Sequence, residues 1–236
     1  MKLFNYDSPL MQTLSKMADL MWLNILTLIC CIPFFTIGAS LTALNYMTLK
    51  IVRDEECYVT RGFFKSFKEN IKQATIIWLL LFLVTVVLVS DLIIMANYDV
   101  VFGSVVRVVV SVMLVFVVFT AMYVFPVLAK FESTIKQTVR NAFLMSITQF
   151  PKTILMVIIY LVPLVLLVLV YQTMPLCFLF GLSVPAWLSA KLYNNFFKRL
   201  EAQIVEASGK EKEDNGDEHI FSDEVIENLS DSTSSK

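Results

Sequence analysis

The stretch of sequence that decides the fold class is residues 153–190, TILMVIIYLVPLVLLVLVYQTMPLCFLFGLSVPAWLSA. Its 38 residues include no charged side chain. A helix needs about 20 apolar residues to cross the roughly 30 Å hydrocarbon core of a bilayer. The stretch is therefore long enough for two membrane spans, and the polar turn Tyr171–Pro175 divides it. We predict a fourth span over residues 153–170 and a fifth over residues 176–192.

Other uncharged runs predict three more spans and exclude a soluble domain. The chain is 57% hydrophobic and 17% charged, whereas soluble domains average about 45–50% apolar and about 25% charged residues. We predict an all-α, polytopic transmembrane helical bundle of about five spans, with short basic amphipathic cytoplasmic helices. The first three spans are expected over residues 20–42, 74–95 and 106–128.

The charges divide the chain into a basic body and an acidic tail. Residues 1–200 hold 16 Lys and Arg against 9 Asp and Glu, and residues 201–236 hold 3 against 11. We interpret residues 1–19 as an N-terminal segment with an interfacial helix and residues 20–200 as the transmembrane domain. Residues 201–236 are expected to be a mostly disordered cytoplasmic tail, because they combine high charge with few apolar residues.

Pro33 interrupts the first apolar run. Proline removes a backbone donor and clashes with the preceding turn, so we expect a kink or break near residues 31–35. Carbonyl groups freed there need donors from neighbouring protein or from a hydroxyl such as that of Thr36. We predict one kinked span, and a split of this run that gives six crossings is the alternative.

Lysine and arginine in the short loops predict the orientation in the membrane. Segment 50–73 carries six of them and segment 129–152 carries four, whereas the turns at 96–105 and 171–175 carry none. Basic short loops stay in the cytoplasm, so both segments and the C-terminal tail are expected there. Five crossings then place the N-terminus outside, although Lys2 and Lys16 argue against that placement.

The two basic segments share a pattern that forms a weak internal repeat. In each segment three apolar residues recur every four positions, which places them along one helix face. A Lys or Arg comes directly after two of these three residues. One interpretation is an anchor at the membrane interface, and the other is a docking surface for a cytoplasmic partner. The first set is Phe63, Phe67 and Ile71 with Lys68 and Lys72, and the second is Ile135, Val139 and Phe143 with Lys136 and Arg140.

Chemistry-bearing side chains are sparse, which argues against an enzyme. The single histidine, His219, lies in the acidic tail, and no metalloprotease, hydrolase or phosphate-loop motif occurs. We predict no catalytic residue, no cofactor, no metal site and no nucleic-acid binding. Asp91 and Arg107 are candidates for an ion pair at the outer membrane boundary, and the alternative is that Arg107 extends to the interface while Asp91 ends the apolar layer.

Two motifs stand out in the N-terminal half of the chain. The first is Leu26-x-x-x-Cys30-x-x-Pro33-x-x-Thr36-x-Gly38-Ala39, followed by Ala43-Leu44. The second is an acidic pair followed by Phe63-Phe64-Lys65-x-Phe67-Lys68-x-Asn70-x-Lys72-Gln73. Together the two motifs resemble the YesL family of bacterial membrane proteins, a domain of unknown function. The resemblance covers about residues 4–200 and implies a multi-pass protein of the bacterial cell membrane, encoded near systems for carbohydrate uptake.

Two hypotheses for function follow from these patterns and the resemblance. The first is a non-enzymatic accessory membrane protein associated with carbohydrate uptake or its regulation. Its basic helices would contact lipid and a cytoplasmic partner such as a transporter subunit or an ATPase. The second is a small transporter or permease component that moves a solute itself, which the repeat and the broken helix at Pro33 favour. The candidate partner or lipid contacts are Phe63, Phe64, Lys65, Phe67, Lys68, Asn70 and Lys72.

Overall fold

The computed structural model describes residues 9–55, 58–97, 103–131, 133–170, 172 and 174–203. No β-strand occurs among these residues, which confirms the predicted all-α class. The tail beyond residue 203 lies outside the described residues. The helices are α1 (Pro9–Cys30), α2 (Ile37–Val52), α3 (Val59–Asn97), α4 (Gly103–Lys130), α5 (Ile135–Thr148), α6 (Phe150–Leu169), α7 (Met174–Phe180) and α8 (Ser183–Gln203).

The chain divides into two compact units, Met1–Leu192 and Tyr193–Lys236. The first unit contains α1 to α7. In the second unit the aromatic rings of Tyr193 and Phe197 lie 4.7 Å apart on successive turns of one helix.

Four described helices are long and apolar enough to cross a membrane: α1, α3, α4 and α6. The bent pair α7 and α8 makes a fifth when it is counted as one span. Large apolar side chains on these helices are exposed; Leu83, Val108 and Leu164 keep 64%, 63% and 59% of their surface. A soluble monomer rarely exposes contiguous apolar surface on this scale. The fold is that of a multi-pass membrane protein, as predicted.

The first apolar run breaks at the predicted place. α1 ends at Cys30, and a 3₁₀ turn at Phe34–Thr36 leads into α2 at Ile37. Pro33 has extended backbone angles, φ −74° and ψ 122°. A helix that continued through this position would lose the proline N–H and would clash with the ring.

The chain reverses direction at this break, so the expected single kinked span over residues 20–42 is a helical hairpin instead. Lys16 Nζ lies 2.5 Å from Asp54 Oδ1, which places the early turns of α1 beside the end of α2. The start of α1 therefore lies beside the end of α2, next to the beginning of the basic segment 50–73.

A buried cluster holds the hairpin together. Small and branched side chains of α1 and α2 interdigitate, and one aromatic ring of α3 closes the cluster. Leu26 keeps 7% of its surface exposed, and every other member keeps 1% or less. The cluster comprises Leu23, Leu26, Ala43, Leu44, Met47, Phe63 and Ala186.

The second span and the basic segment before it form one continuous helix. α3 has 39 residues, so it is about 58 Å long, roughly twice the hydrocarbon thickness of a bilayer. The predicted span 74–95 is its C-terminal part. The separate short helix expected in the basic segment 50–73 is its N-terminal part, because no proline or glycine interrupts the sequence between Phe63 and Asn97.

The second basic segment is a separate helix that folds back. α5 packs along α4, and the rings of Phe143 and Phe116 lie 6.0 Å apart. Gln149, with φ −112° and ψ 39°, separates α5 from α6. Pro151 then stands in the first turn of α6, where a missing N–H costs nothing.

The predicted fifth span over residues 176–192 is also broken. α7 ends at Phe180 and α8 begins at Ser183, with a bend of 47° between them. Pro185 explains the position of this bend, because in a continuous helix its ring would clash with the carbonyl group of Gly181. α6 ends at Leu169 and α7 begins at Met174, so the last two residues of the expected turn, Met174 and Pro175, belong to α7.

The hairpin predicts that positions 12 and 68 label from the same side of the membrane. Gln12 and Lys68 are both exposed, and each can be replaced by cysteine in a variant whose native cysteines are serine. A membrane-impermeant maleimide should then label Gln12→Cys and Lys68→Cys in vesicles of the same orientation. Labelling from opposite faces would contradict the hairpin.

Candidate functional site

The break between α1 and α2 is a turn in which side-chain donors contact four carbonyl groups, those of Cys30, Pro33, Phe34 and Phe35. Thr36 Oγ1 lies 2.6 Å from the Cys30 carbonyl oxygen and 2.7 Å from that of Pro33. Thr36 N also donates to the Pro33 carbonyl at 3.0 Å. The hydroxyl therefore supplies a donor that the interrupted helix lacks, as the sequence predicts.

Two side chains of α3 donate to the next carbonyl groups of the turn. Trp78 Nε1 donates to the carbonyl oxygen of Phe34 at 3.1 Å, and Thr75 Oγ1 donates to that of Phe35 at 3.1 Å. The ring of Phe34 packs edge-on against that of Phe82, with centroids 4.8 Å apart. The tip of the hairpin is thus attached to α3 over two turns.

Gly38 lets α2 approach α3 closely at the same level. A Cβ atom at this position would overlap the carbonyl oxygen of Ala74 and would lie 2.7 Å from Trp78 Cβ. Ala39, the next residue of the motif, is fully buried. The four motif residues Pro33, Thr36, Gly38 and Ala39 therefore act together: they turn the chain and pack the returning helix on α3.

A row of basic side chains runs along the N-terminal part of α3. Arg61, Lys65, Lys68 and Lys72 are all exposed, and their spacing of four, three and four residues places them on one side of the helix. Phe64, 39% exposed, lies at the edge of the same side. We call these five residues the α3 basic row.

The other predicted contact residues of this segment face inward. Phe63 is fully buried, and its ring stacks on that of Phe67 with centroids 6.2 Å apart. Asn70 Nδ2 donates to the Ser66 carbonyl oxygen of its own helix at 3.0 Å. Of the predicted contact set, Phe64, Lys65, Lys68 and Lys72 are available to a partner, and Phe63, Phe67 and Asn70 hold α3 against the hairpin or stabilise its backbone.

The base of the hairpin contains a cleft of about 720 Å³ with a mixed charged and apolar lining. Lys16 contacts Asp54, and Lys50 Nζ lies 3.9 Å from Glu55 Oε2. Asp54 has φ 55° and stands where glycine usually ends a helix. The Glu55 N–H donates back to the Lys50 carbonyl oxygen at 3.1 Å. These contacts close the end of α2 against α1.

Asp91 and Arg107 do not form the candidate ion pair in the described part of the chain. Arg107 Nη2 instead donates to the carbonyl oxygen of Met95 at 2.5 Å. Met95 lies in the last turn of α3, where carbonyl groups lack helical partners and carry the negative end of the helix dipole. The arginine therefore caps α3 and joins it to the antiparallel α4.

The sequence pattern did not reveal the hydrogen-bond partners of Asn24. Its side chain is fully buried, and its Nδ2 donates to the carbonyl oxygen of Phe178 at 2.6 Å. Its Oδ1 accepts hydrogen bonds from the N–H groups of Leu182 and Ser183 at 2.9 and 3.0 Å. One amide from α1 thus satisfies both sides of the break between α7 and α8. No local signal in the sequence links positions so far apart.

Most other buried hydroxyls bond to carbonyl groups of their own helix, as those of Thr27, Ser40 and Thr42 do. No group of three or more His, Cys, Asp or Glu residues that could hold a metal ion occurs in the described part of the chain. His219 lies outside it. Polar side chains in the described apolar helices therefore mainly donate hydrogen bonds to backbone carbonyl groups.

One family model matches this chain. It is described as a protein of unknown function, DUF624, and it matches residues 20–92. The matched region contains most of α1, the break, α2 and the greater part of α3. No curated protein and no solved structure match the chain. The family pattern therefore coincides with the hairpin and the helix that holds it.

Replacing Thr36 by valine should lower stability with little change in shape. The Cys30 carbonyl then loses its hydroxyl donor, and an unpaired buried acceptor costs about 1–3 kcal/mol. We expect the unfolding midpoint in detergent to fall by roughly 3–10 °C. Thr85→Val is the control, because Thr85 Oγ1 donates only to the Leu81 carbonyl oxygen of its own helix. Equal midpoints for the two variants would contradict this role of Thr36.

Replacing Asn24 by leucine should loosen α7. The change removes three hydrogen bonds across the break, so we expect Cys177, which is partly buried against α6, to react several times faster with a membrane-permeant maleimide. Asn97→Leu is the control, because that exposed amide donates to the Ile93 carbonyl oxygen of its own helix. An unchanged Cys177 rate in Asn24→Leu would show that the break does not depend on Asn24.

Proposed function

We propose that this protein is a non-enzymatic accessory membrane protein, and that its α3 basic row binds an acidic surface of a cytoplasmic partner. The partner is a transporter subunit or an ATPase of a carbohydrate-uptake system. The observation that carries the proposal is the continuity of α3, which holds the exposed row along the N-terminal part of one unbroken helix.

The length of α3 supports a docking role rather than an interface anchor. If residues 74–95 cross the bilayer, the preceding 15 residues extend by about 22 Å. A helix that is continuous with a span cannot also lie flat in the headgroup layer. Its inner face is occupied by Phe63 and Ser66, both buried, so the outer face with Lys65, Lys68 and Lys72 is left for a partner.

Charge supports both the side of the membrane and the chemistry of the partner. Short loops rich in Lys and Arg stay in the cytoplasm, and segment 50–73 is the richest in the chain. Within the described residues, no carboxylate forms an ion pair with Lys65, Lys68 or Lys72. A surface of several like charges on one helix favours an acidic partner and raises its association rate.

The link to carbohydrate uptake rests on the resemblance to the YesL family, with which the DUF624 match is compatible. The proposal that the protein is not an enzyme rests on its sparse chemistry. In the described residues the buried hydroxyls and amides are mainly used by backbone carbonyl groups, and this supports a scaffold rather than a catalyst.

Neutralising the α3 basic row should abolish co-purification of the partner. Lys65→Gln, Lys68→Gln and Lys72→Gln remove three exposed charges, and we expect recovery of the partner from native membranes to fall by about ten-fold. The matched control, Lys136→Gln, Arg140→Gln and Lys152→Gln, removes three charges from the other basic segment and should retain the partner. Both variants should insert into the membrane as the wild type does.

The same experiment distinguishes the proposal from the second hypothesis. Equal recovery of the partner with the α3 triple variant would contradict the docking surface. Recovery of the wild-type protein alone, together with solute flux in vesicles that contain only this chain, would favour a transporter instead.

A further inference from the structure

We propose that a groove between α3, α4 and α5 binds one anionic phospholipid molecule. In this proposal an acyl chain lies along the apolar walls, and the phosphate group contacts Lys136 and Arg140. The inference is independent of the partner proposed for the α3 basic row, since its cations lie on α5 and none of the five residues of that row lines the groove.

The groove exists because α5 folds back on α4. It has a volume of about 560 Å³, within the range of small-molecule sites. Leu80 and Val84 of α3 form one wall, Phe116 of α4 forms the floor, and Val139 and Phe143 of α5 form the other wall. The hydroxyl of Thr120, which also lines the groove, donates to the Phe116 carbonyl oxygen at 2.8 Å. The walls therefore offer no free donor to a polar ligand.

The two cations border this apolar groove on one side of α5. Lys136 and Arg140 are one helical turn apart, and both are exposed. No described carboxylate pairs with either of them, in contrast to Lys16 and Lys50, which contact Asp54 and Glu55. A guanidinium and an ammonium group at this spacing suit a phosphate, which accepts hydrogen bonds from both.

The groove has a polar end and an apolar end. α5 runs antiparallel to α4, so Lys136 lies toward the C-terminal end of α4, and Phe143 reaches deeper to contact Phe116. A phospholipid has the same order of groups, with its phosphate at one end and its acyl chain at the other. A soluble anion would use only the cations.

The position of the walls selects a lipid over a protein helix as the occupant. Leu80, Val84 and Phe116 belong to helices that are long and apolar enough to span the membrane, and they keep 51%, 38% and 39% of their surface exposed. A groove with such walls opens toward the acyl chains of the bilayer. The lipid is already present there at high concentration, and the cation pair adds a preference for negative charge.

Native mass spectrometry of the purified full chain tests the proposal. Phosphatidylglycerol and phosphatidylcholine with identical acyl chains serve as probes, and we expect the wild type to retain the anionic lipid about ten-fold more. Lys136→Gln with Arg140→Gln should abolish this preference. The control Lys68→Gln with Lys72→Gln removes the same charge at the same helical spacing and should leave the preference unchanged.

A second variant tests the apolar part of the groove. Val84→Trp should fill the groove and reduce retention of both lipids, and Val86→Trp, on the other side of α3, should not. The proposal would be overturned if the Lys136→Gln with Arg140→Gln variant still preferred phosphatidylglycerol. It would also be overturned if the Lys68 and Lys72 control lost this preference to the same extent. Displacement of the lipid by millimolar inorganic phosphate from folded wild-type protein would also overturn it, because the site would then recognise a free anion.

Discussion

The constraint on which this fold depends is that backbone polar groups inside an apolar layer need partners within the protein. Pro33 ends α1 and frees several carbonyl groups at once. Thr36 supplies a donor from within the turn, and Trp78 and Thr75 supply donors from α3. Because these donors belong to α3, the turn is stable only where it contacts that helix. The position of the whole hairpin follows from this requirement, and the absence of a side chain at Gly38 permits the close approach.

The same constraint acts a second time at the bend between α7 and α8. Pro185 prevents a continuous helix, so the last carbonyl of one segment and the first N–H groups of the next need partners. Asn24 provides both an acceptor and a donor in one side chain. The two breaks are therefore connected through α1, whose C-terminal end forms one of them and whose middle stabilises the other. In a helix without Pro33 or without Pro185, the backbone groups at that break would bond within the helix and would not need Thr36 or Asn24 as partners.

Two segments with the same sequence pattern have different tertiary arrangements, and this difference separates the two proposed binding surfaces. The first basic segment continues into its span because no helix breaker follows Phe63. The second is ended by the non-helical Gln149 before Pro151, so α5 is free to fold back against α4. One segment thus presents charge along the exposed side of a long continuous helix. The other presents charge at the border of an apolar groove.

The sequence by itself determined the all-α class, the apolar helices, the break at Pro33 and the donor role of Thr36, because these depend on composition and on neighbours within a few residues. It did not determine that α2 returns along α1, that Phe63 faces inward or that Arg107 caps α3. It also did not reveal the bond between Asn24 and residues 178–183, or the groove beside α5. Only the tertiary structure decided these features, since a proline shows where a helix ends but not in which direction the chain continues. That direction depends on which distant donors and apolar surfaces the freed segment meets.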